Sequence, residues 1–299
     1  MRGPWLFLLL VACGREAGVA SGAATLEPTP ALAEAAAAGP PSPCSSTITK
    51  LGPGLTAEQA GLLGTPAAGP PCVDIVRADL AHHRLRVLTA ARDGRSQPAP
   101  TWRETFRLIA VTNAGMFHAS GTPVALIIED GVPLSKDNKK YLGYLAFDPR
   151  SPADAPIIFT GRDCENYSLD DLRKRYRSIV QSPRLLGCTG EALPWQDKKQ
   201  YSAAAIGFDR AGRVVFVHAR GAVTMSELSN TLASLDLTAA LFLEGGPEAS
   251  LVVRGSEAEL LRMGSYETNF VENDTNQSFW WLPNVIGLEA QGTPTGKGG

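Results

Sequence analysis

Short apolar runs punctuated by glycine, aspartate and proline mark most of this chain as strand. Residues 73–80 and 84–88 both approximate period-two alternation with Ala81-His82-His83 between them, a pattern that predicts a hairpin. Residues 107–111 form a mostly apolar run ending in Asn113-Ala114-Gly115-Met116-Phe117-His118. Residues 123–128 lead through Glu129-Asp130-Gly131 into Val132-Pro133-Leu134, where the Asp-Gly pair marks a tight turn. Residues 141–147 and 156–160 continue the β pattern, and residues 203–208 and 213–219 flank a further turn at Asp209-Arg210-Ala211-Gly212. The run 239–243 is apolar throughout and long enough only for a strand, so Glu244 emerges at its end, on the glycine pair Gly245-Gly246. Residues 280–288 close the sheet.

Capping boxes place the helices. Ser168 with Asp171 opens 169–176, Thr224 with Glu227 opens 225–235, and Ser256 with Glu259 opens 257–263. In the second, Met225, Leu228, Leu232 and Leu235 share one face. Strands dominate without regular βαβ alternation, which predicts an α+β fold: a strand-rich mixed or antiparallel sheet core with a few short helices.

Charge narrows the partners. Lys+Arg 28 against Asp+Glu 30 gives a net charge of -2, so nothing draws the chain to nucleic acid or to an acidic bilayer. Electrostatics points to a small or neutral-to-anionic partner at a local site. The first 12 residues read as a lipoprotein-type signal, with Arg2 before an apolar run too short to span a bilayer. Leu10-Val11-Ala12-Cys13 matches a lipobox in which Cys13 is acylated, which places the protein in a bacterial cell envelope, on the membrane only through that lipid. Residues 13–43 are an Ala/Pro/Gly tether with too little apolar surface to fold, 44–72 a cysteine-bounded arm, 73–290 the folded domain and 291–299 a disordered tail. Four cysteines remain beyond Cys13, and of three possible connectivities the sequential one, Cys44 with Cys72 and Cys164 with Cys188, closes the shortest loops. None sits at zinc-site spacing, so no metal is expected there.

Chemistry concentrates around Glu244. Gly245 and Gly246 can both take positive φ and turn successive N–H groups toward an anion. Arg184 offers a planar fork for phosphate oxygens, Asn113 and Gln181 can each exchange hydrogen bonds with sugar hydroxyls, and His118 can serve as a base or a substrate contact. These assign Glu244, Arg184 and Asn113 to catalysis, and Gln181, Gly245, Gly246 and His118 to substrate binding. Glu267, Glu272 and Asp274 cluster with Asn269, Asn273 and Asn276; the cluster reads as a solvated loop, with Ca²⁺ the alternative, and no other cofactor is expected. There is no G-x-S-x-G elbow, Walker loop or H-E-x-x-H.

Four segments in order resemble the phosphodiester glycosidase family: Asn113 to Phe117, then Gln181-Ser182-Pro183-Arg184-Leu185-Leu186, then Ala205-Ile206-Gly207, then Leu243-Glu244-Gly245-Gly246. The resemblance spans roughly residues 73–288 and leans toward a bacterial exported branch, in which Tyr266-Glu267 and Pro283 to Gly287 also recur. It implies hydrolysis of a sugar-1-phosphodiester or a related glycosidic bond, with a small carbohydrate or glycan as substrate. The family's aspartate is Glu244 here, and Tyr201-Ser202 stands where an arginine often precedes the small-residue strand. A glycan-binding lipoprotein without catalysis is the alternative.

Overall fold

Among the described residues every strand ladder is antiparallel. The computed structural model describes residues 44–165, 167–268 and 271–292. The signal segment, Cys13, the tether through residue 43, Asn269 and the tail from residue 293 lie outside them.

Three sheets organise the chain. The first has the order β1 (Thr49–Gly52), β2 (Leu55–Gly61), β3 (Cys72–Ala78), β13 (Val214–Val223), β12 (Tyr201–Asp209), β14 (Leu237–Gly245). The second runs β10 (Ile157–Gly161), β9 (Gly143–Pro149), β11 (Tyr176–Ser182), β7 (Ile127–Glu129), β8 (Val132–Pro133). The third runs β16 (Glu259–Met263), β15 (Ser250–Arg254), β6 (Ala110–Asn113), β20 (Asn284–Ala290), β4 (His83–Thr89). Two short ladders complete the set, β17 (Tyr266–Thr268) with β18 (Val271–Asn273) and β19 (Trp281–Leu282) with β5 (Gln97–Pro98).

One core joins the three sheets. Val76, Ile206 and Leu243 of the first sheet pack in the same cluster as Leu145 and Val180 of the second and Leu251 and Ile286 of the third. The opposite face of the first sheet is covered by α4 (Met225–Ser234), whose Met225, Leu228 and Leu232 meet Ala205, Val217 and Phe242. The remaining helices are short: α1 (Ala90–Asp93), α2 (Ala99–Phe106) and α3 (Leu169–Arg175). The fold is therefore α+β and strand-rich, as the sequence pattern predicts. Segment 44–72, expected as an arm, supplies the edge strands of the first sheet, and the Cys44–Cys72 disulfide ties its start to β3.

Several local expectations hold. Asp130 and Gly131 both adopt positive φ in the two-residue turn between β7 and β8. Ser168 caps α3 by accepting from the Asp171 N–H at 3.2 Å, and Thr224 with Glu227 forms the reciprocal capping box of α4. The second expected disulfide, Cys164–Cys188, is also present. Closing a 24-residue span restricts the unfolded chain by about 3 kcal/mol.

Two expectations fail. β3 and β4 do not form a hairpin, because β2 and β13 already flank β3 on both sides, while β4 pairs with β20 in another sheet. The Asp79 side chain bonds the Ala81 N–H at 2.8 Å and steers the chain from one sheet to the other. Residues 257–263 are not a helix: β16 pairs with β15 from Met263↔Ser250 to Glu259↔Arg254. The ladder offered by β15 pairs every residue of β16, and that tertiary pairing overrides the local capping signal.

Candidate active site

The last turn of strand before Glu244 is irregular. Ala204 of β12 faces Glu244 and the next residue, Ala205, faces Phe242, so Leu243 has no partner and β14 carries one extra residue. Regular alternation would send Glu244 to the face opposite Leu243. The bulge instead places Glu244 on the side of Ala204, the inner face to which Leu243 also belongs.

There the carboxyl group is partly exposed and has few polar contacts. The Gly245 N–H donates to its Oε1 at 3.1 Å. Burial pushes the Glu244 carboxyl up to about 8, the hydrogen bond from Gly245 opposes the shift and the neighbouring Glu248 adds to it. Glu244 is thus a neutral acid at pH 7. Two phenols share its surroundings: burial and then Glu244 raise Tyr141, while burial, Asp197 and Glu244 raise Tyr201, so both keep their hydroxyl protons. The Tyr201 ring lies so close over Gly245 that a Cβ there would come within 2.6 Å of its Cδ2, which restricts position 245 to glycine.

Glu248 lies in the 3₁₀ turn Gly246–Glu248 that follows β14. Asn113 fixes this turn. Its Nδ2 donates to the Glu248 carbonyl at 2.9 Å and its Oδ1 accepts from the Ser250 N–H at 2.9 Å. The Ser202 hydroxyl donates to the Gly246 carbonyl at 2.9 Å from the other side.

The structure reassigns several residues singled out in the sequence. Asn113 is 1% exposed with both amide atoms committed to backbone, so its amide is spent on the turn that bears Glu248. Gln181 is 2% exposed; its oxygen accepts from the N–H groups of Leu126 (3.0 Å) and Asn138 (2.9 Å), and its nitrogen reaches the carbonyls of Asn138 (2.7 Å) and Tyr141 (2.6 Å). It holds the loop that brings Tyr141 to Glu244 and has no valence left for a sugar.

Arg184 is separated from Glu244. Residues 183–186 run along the outer edge of β14, where Arg184 bridges to Leu241. Its guanidinium turns to Asp163 at 2.6 Å and to the two sulfurs of the Cys164–Cys188 disulfide at 3.0 and 3.1 Å. It lines a cavity of about 690 Å³ between β10 and β14 whose walls do not include Glu244. His118 is exposed in a tight turn closed by its own N–H to Thr122 O at 2.9 Å, and its side chain makes no polar contact with a described residue near Glu244. The glycine pair does not form an anion seat: Gly246 has φ 65, but Gly245 is extended at φ -126 and its N–H is taken by Glu244.

Of the acidic cluster, Asp274 pairs with Arg220 at 2.5 Å and Asn276 donates to the Gly264 carbonyl at 2.9 Å, while Glu267 and Glu272 are register partners in the β17–β18 ladder. Among the described residues, Asp163, Cys164 and Cys188 group closely enough to suggest a metal, but both thiols are consumed in the disulfide. The sequence reading missed Tyr141, Tyr201 and Glu248. Glu248 lies in the very stretch that carries Glu244, four residues on, a spacing that could have flagged a carboxylate pair.

A family model described as phosphodiester glycosidase matches residues 106–289. No curated protein matches the chain. Solved structures that resemble the fold include the following two. The zebrafish N-acetylglucosamine-1-phosphodiester alpha-N-acetylglucosaminidase catalytic domain, auto-inhibited by pro-peptide, is 15% identical, with 81% of this chain and 86% of that chain covered and a TM-score of 0.57. A hypothetical protein from Synechocystis is 16% identical over 79% of this chain and 62% of that chain, with a TM-score of 0.54.

The neutral carboxyl has a consequence for stability. A group raised from 4.5 to about 8 on folding favours the native state fully below 4.5, and that contribution is lost as pH rises through 8. Glu244→Gln removes the titration. Its melting temperature relative to the parent is expected to climb steadily as pH is taken from 5 to roughly 9. A difference that stays flat across that range would contradict the burial assigned to Glu244.

Proposed function

The chain belongs to the phosphodiester glycosidase family, a family of hydrolases, and we propose that it cleaves a sugar-1-phosphodiester or a related glycosidic bond with Glu244 as proton donor and Glu248 as the second carboxylate. The observation that carries this reading is an inward-facing, uncharged Glu244 at the end of its strand with a second acid, Glu248, in the turn that follows it. A phosphodiester is an anion, and an ionised carboxylate at its bridging oxygen would repel it. A protonated one can approach and donate.

In the proposed step Glu244 passes its proton to the bridging oxygen as the bond to the anomeric carbon breaks, releasing the phosphate monoester. Water adds to that carbon and loses its proton to Glu248, completing the hydrolysis. Positive charge on the sugar ring in the transition state is stabilised by the Glu248 carboxylate, with the phenols of Tyr141, whose hydroxyl reaches Met116 Sδ at 3.9 Å, and Tyr201 close to Glu244. The phosphate is already a good leaving group, so proton donation supplements the chemistry and does not carry it alone.

We also propose that the protein is exported and anchored through Cys13, which the two disulfides support because such bonds persist in oxidising compartments. Mass spectrometry of the mature protein is expected to find diacylglycerol on Cys13; an unmodified N-terminus further along the chain would overturn the anchor.

Against a panel of sugar phosphodiesters and aryl glycosides, Glu244→Gln and Glu248→Gln are each expected to lower kcat by about two orders of magnitude or more. The parent's activity should fall as pH rises through about 8, since only protonated Glu244 donates. Turnover in Glu244→Gln equal to the parent's would remove Glu244 from the chemistry. Measurable binding with no turnover across the panel would make the protein a glycan binder.

A further inference from the structure

A single transverse row of side chains crosses the first sheet to Glu244. Asp74 of β3 faces His218 of β13, His218 faces Ala204 of β12, and Ala204 faces Glu244 of β14. Directly opposed residues point to the same face, so all four lie on the inner side. Ala204 is the smallest of them, and the 246–250 segment reaches the row at His218 through the Ala249 carbonyl.

His218 is 0% exposed. Its Nε2 lies 3.2 Å from the Ala249 carbonyl, which can only accept, so Nε2 carries the proton. Its Nδ1 is buried with no partner among the described residues. The charged groups around the ring are Asp74, Arg262 and Arg220. Arg262 holds Asp74 by two bonds, 2.7 and 3.0 Å, with Gln59 adding a third at 3.0 Å, so Asp74 is fully engaged without the imidazole. Burial keeps the ring neutral against the pull of Asp74. A buried polar atom without a partner costs about 1–3 kcal/mol. What the ring supplies in return is one hydrogen bond to one carbonyl.

That carbonyl belongs to the turn carrying Glu248. Asn113 already holds Glu248 O and Ser250 N from β6, in the third sheet. His218 holds the Ala249 carbonyl, on the same peptide as the Ser250 N–H, from β13, in the same sheet as Glu244. We infer that His218 is a positioning residue for the Glu244 and Glu248 pair, tying the turn that bears Glu248 to the sheet that bears Glu244. The inference rests on the catalytic reading of those two carboxylates.

The test uses the full folded chain with three variants and two readouts. His218→Phe keeps the ring volume and removes the donor; His218→Asn shortens the reach; His218→Gln places an amide nitrogen near the position of Nε2. On the sugar-phosphodiester panel, His218→Phe and His218→Asn are expected to lower kcat about tenfold or more with KM within roughly threefold, and His218→Gln to recover most of the loss. Hydrogen–deuterium exchange, which needs no substrate, is expected to quicken across residues 246–250 in the first two variants and to stay at parental rates in the third. If His218→Phe does not fold, His218→Asn carries the same expectation. Unchanged exchange across 246–250 in the folded variants, or kcat falling equally in all three, would overturn the role. If the parent turns over nothing on the panel, the catalytic reading fails, while the exchange data still decide whether His218 holds the turn.

Discussion

One unpaired residue sets the geometry of the site. With Leu243 left out of the β12–β14 ladder, Leu243 and Glu244 both face inward, and a carboxyl that regular pleating would present to the outer face enters the shared core's rim. The apolar run before it makes this tolerable. Leu241, Phe242 and Leu243 are buried on the two faces of the sheet and anchor the strand on either side of the irregularity. A carboxyl placed there loses much of its water and gains a single amide donor, so it keeps its proton to about 8.

Everything around Glu244 serves to keep it in place. Gly245 accepts the Tyr201 ring because it has no side chain, and Gly246 turns the chain with its φ of 65 into the short helix that brings Glu248 round. Asn113, Ser202 and His218 then fasten the carbonyls of Glu248, Gly246 and Ala249, each from a different strand. Gln181 does the same for the loop bearing Tyr141. The amides of Asn113 and Gln181, which look like sugar ligands in the sequence, are therefore spent on backbone.

The strands were largely legible because apolar runs bounded by Asp-Gly and Gly turns leave little choice of element, and α3 and α4 were legible from their caps. Partner choice was not. Whether β4 pairs with β3 depends on which edges are already occupied, and β16 took a ladder despite the Ser256 and Glu259 capping pattern because β15 offered one. At the site, Glu244 was legible from its place after an apolar strand and before two glycines. Its inward turn was not, since a bulge is a property of two strands in register. Arg184 misled for the same reason: its chemistry suits phosphate, but its segment pairs along the edge of β14 and delivers it to Asp163 and a disulfide.

The account turns on an inward, proton-bearing Glu244, and the most direct measurement is a titration of its side-chain carboxyl carbon by ¹³C NMR, assigned by loss of the resonance in Glu244→Gln. The account predicts a midpoint near 8, with the carboxyl still protonated at neutral pH. A midpoint at the ordinary 4.5 would contradict it, because a carboxyl that ionises there is solvated and is not held on the inner face by the bulge.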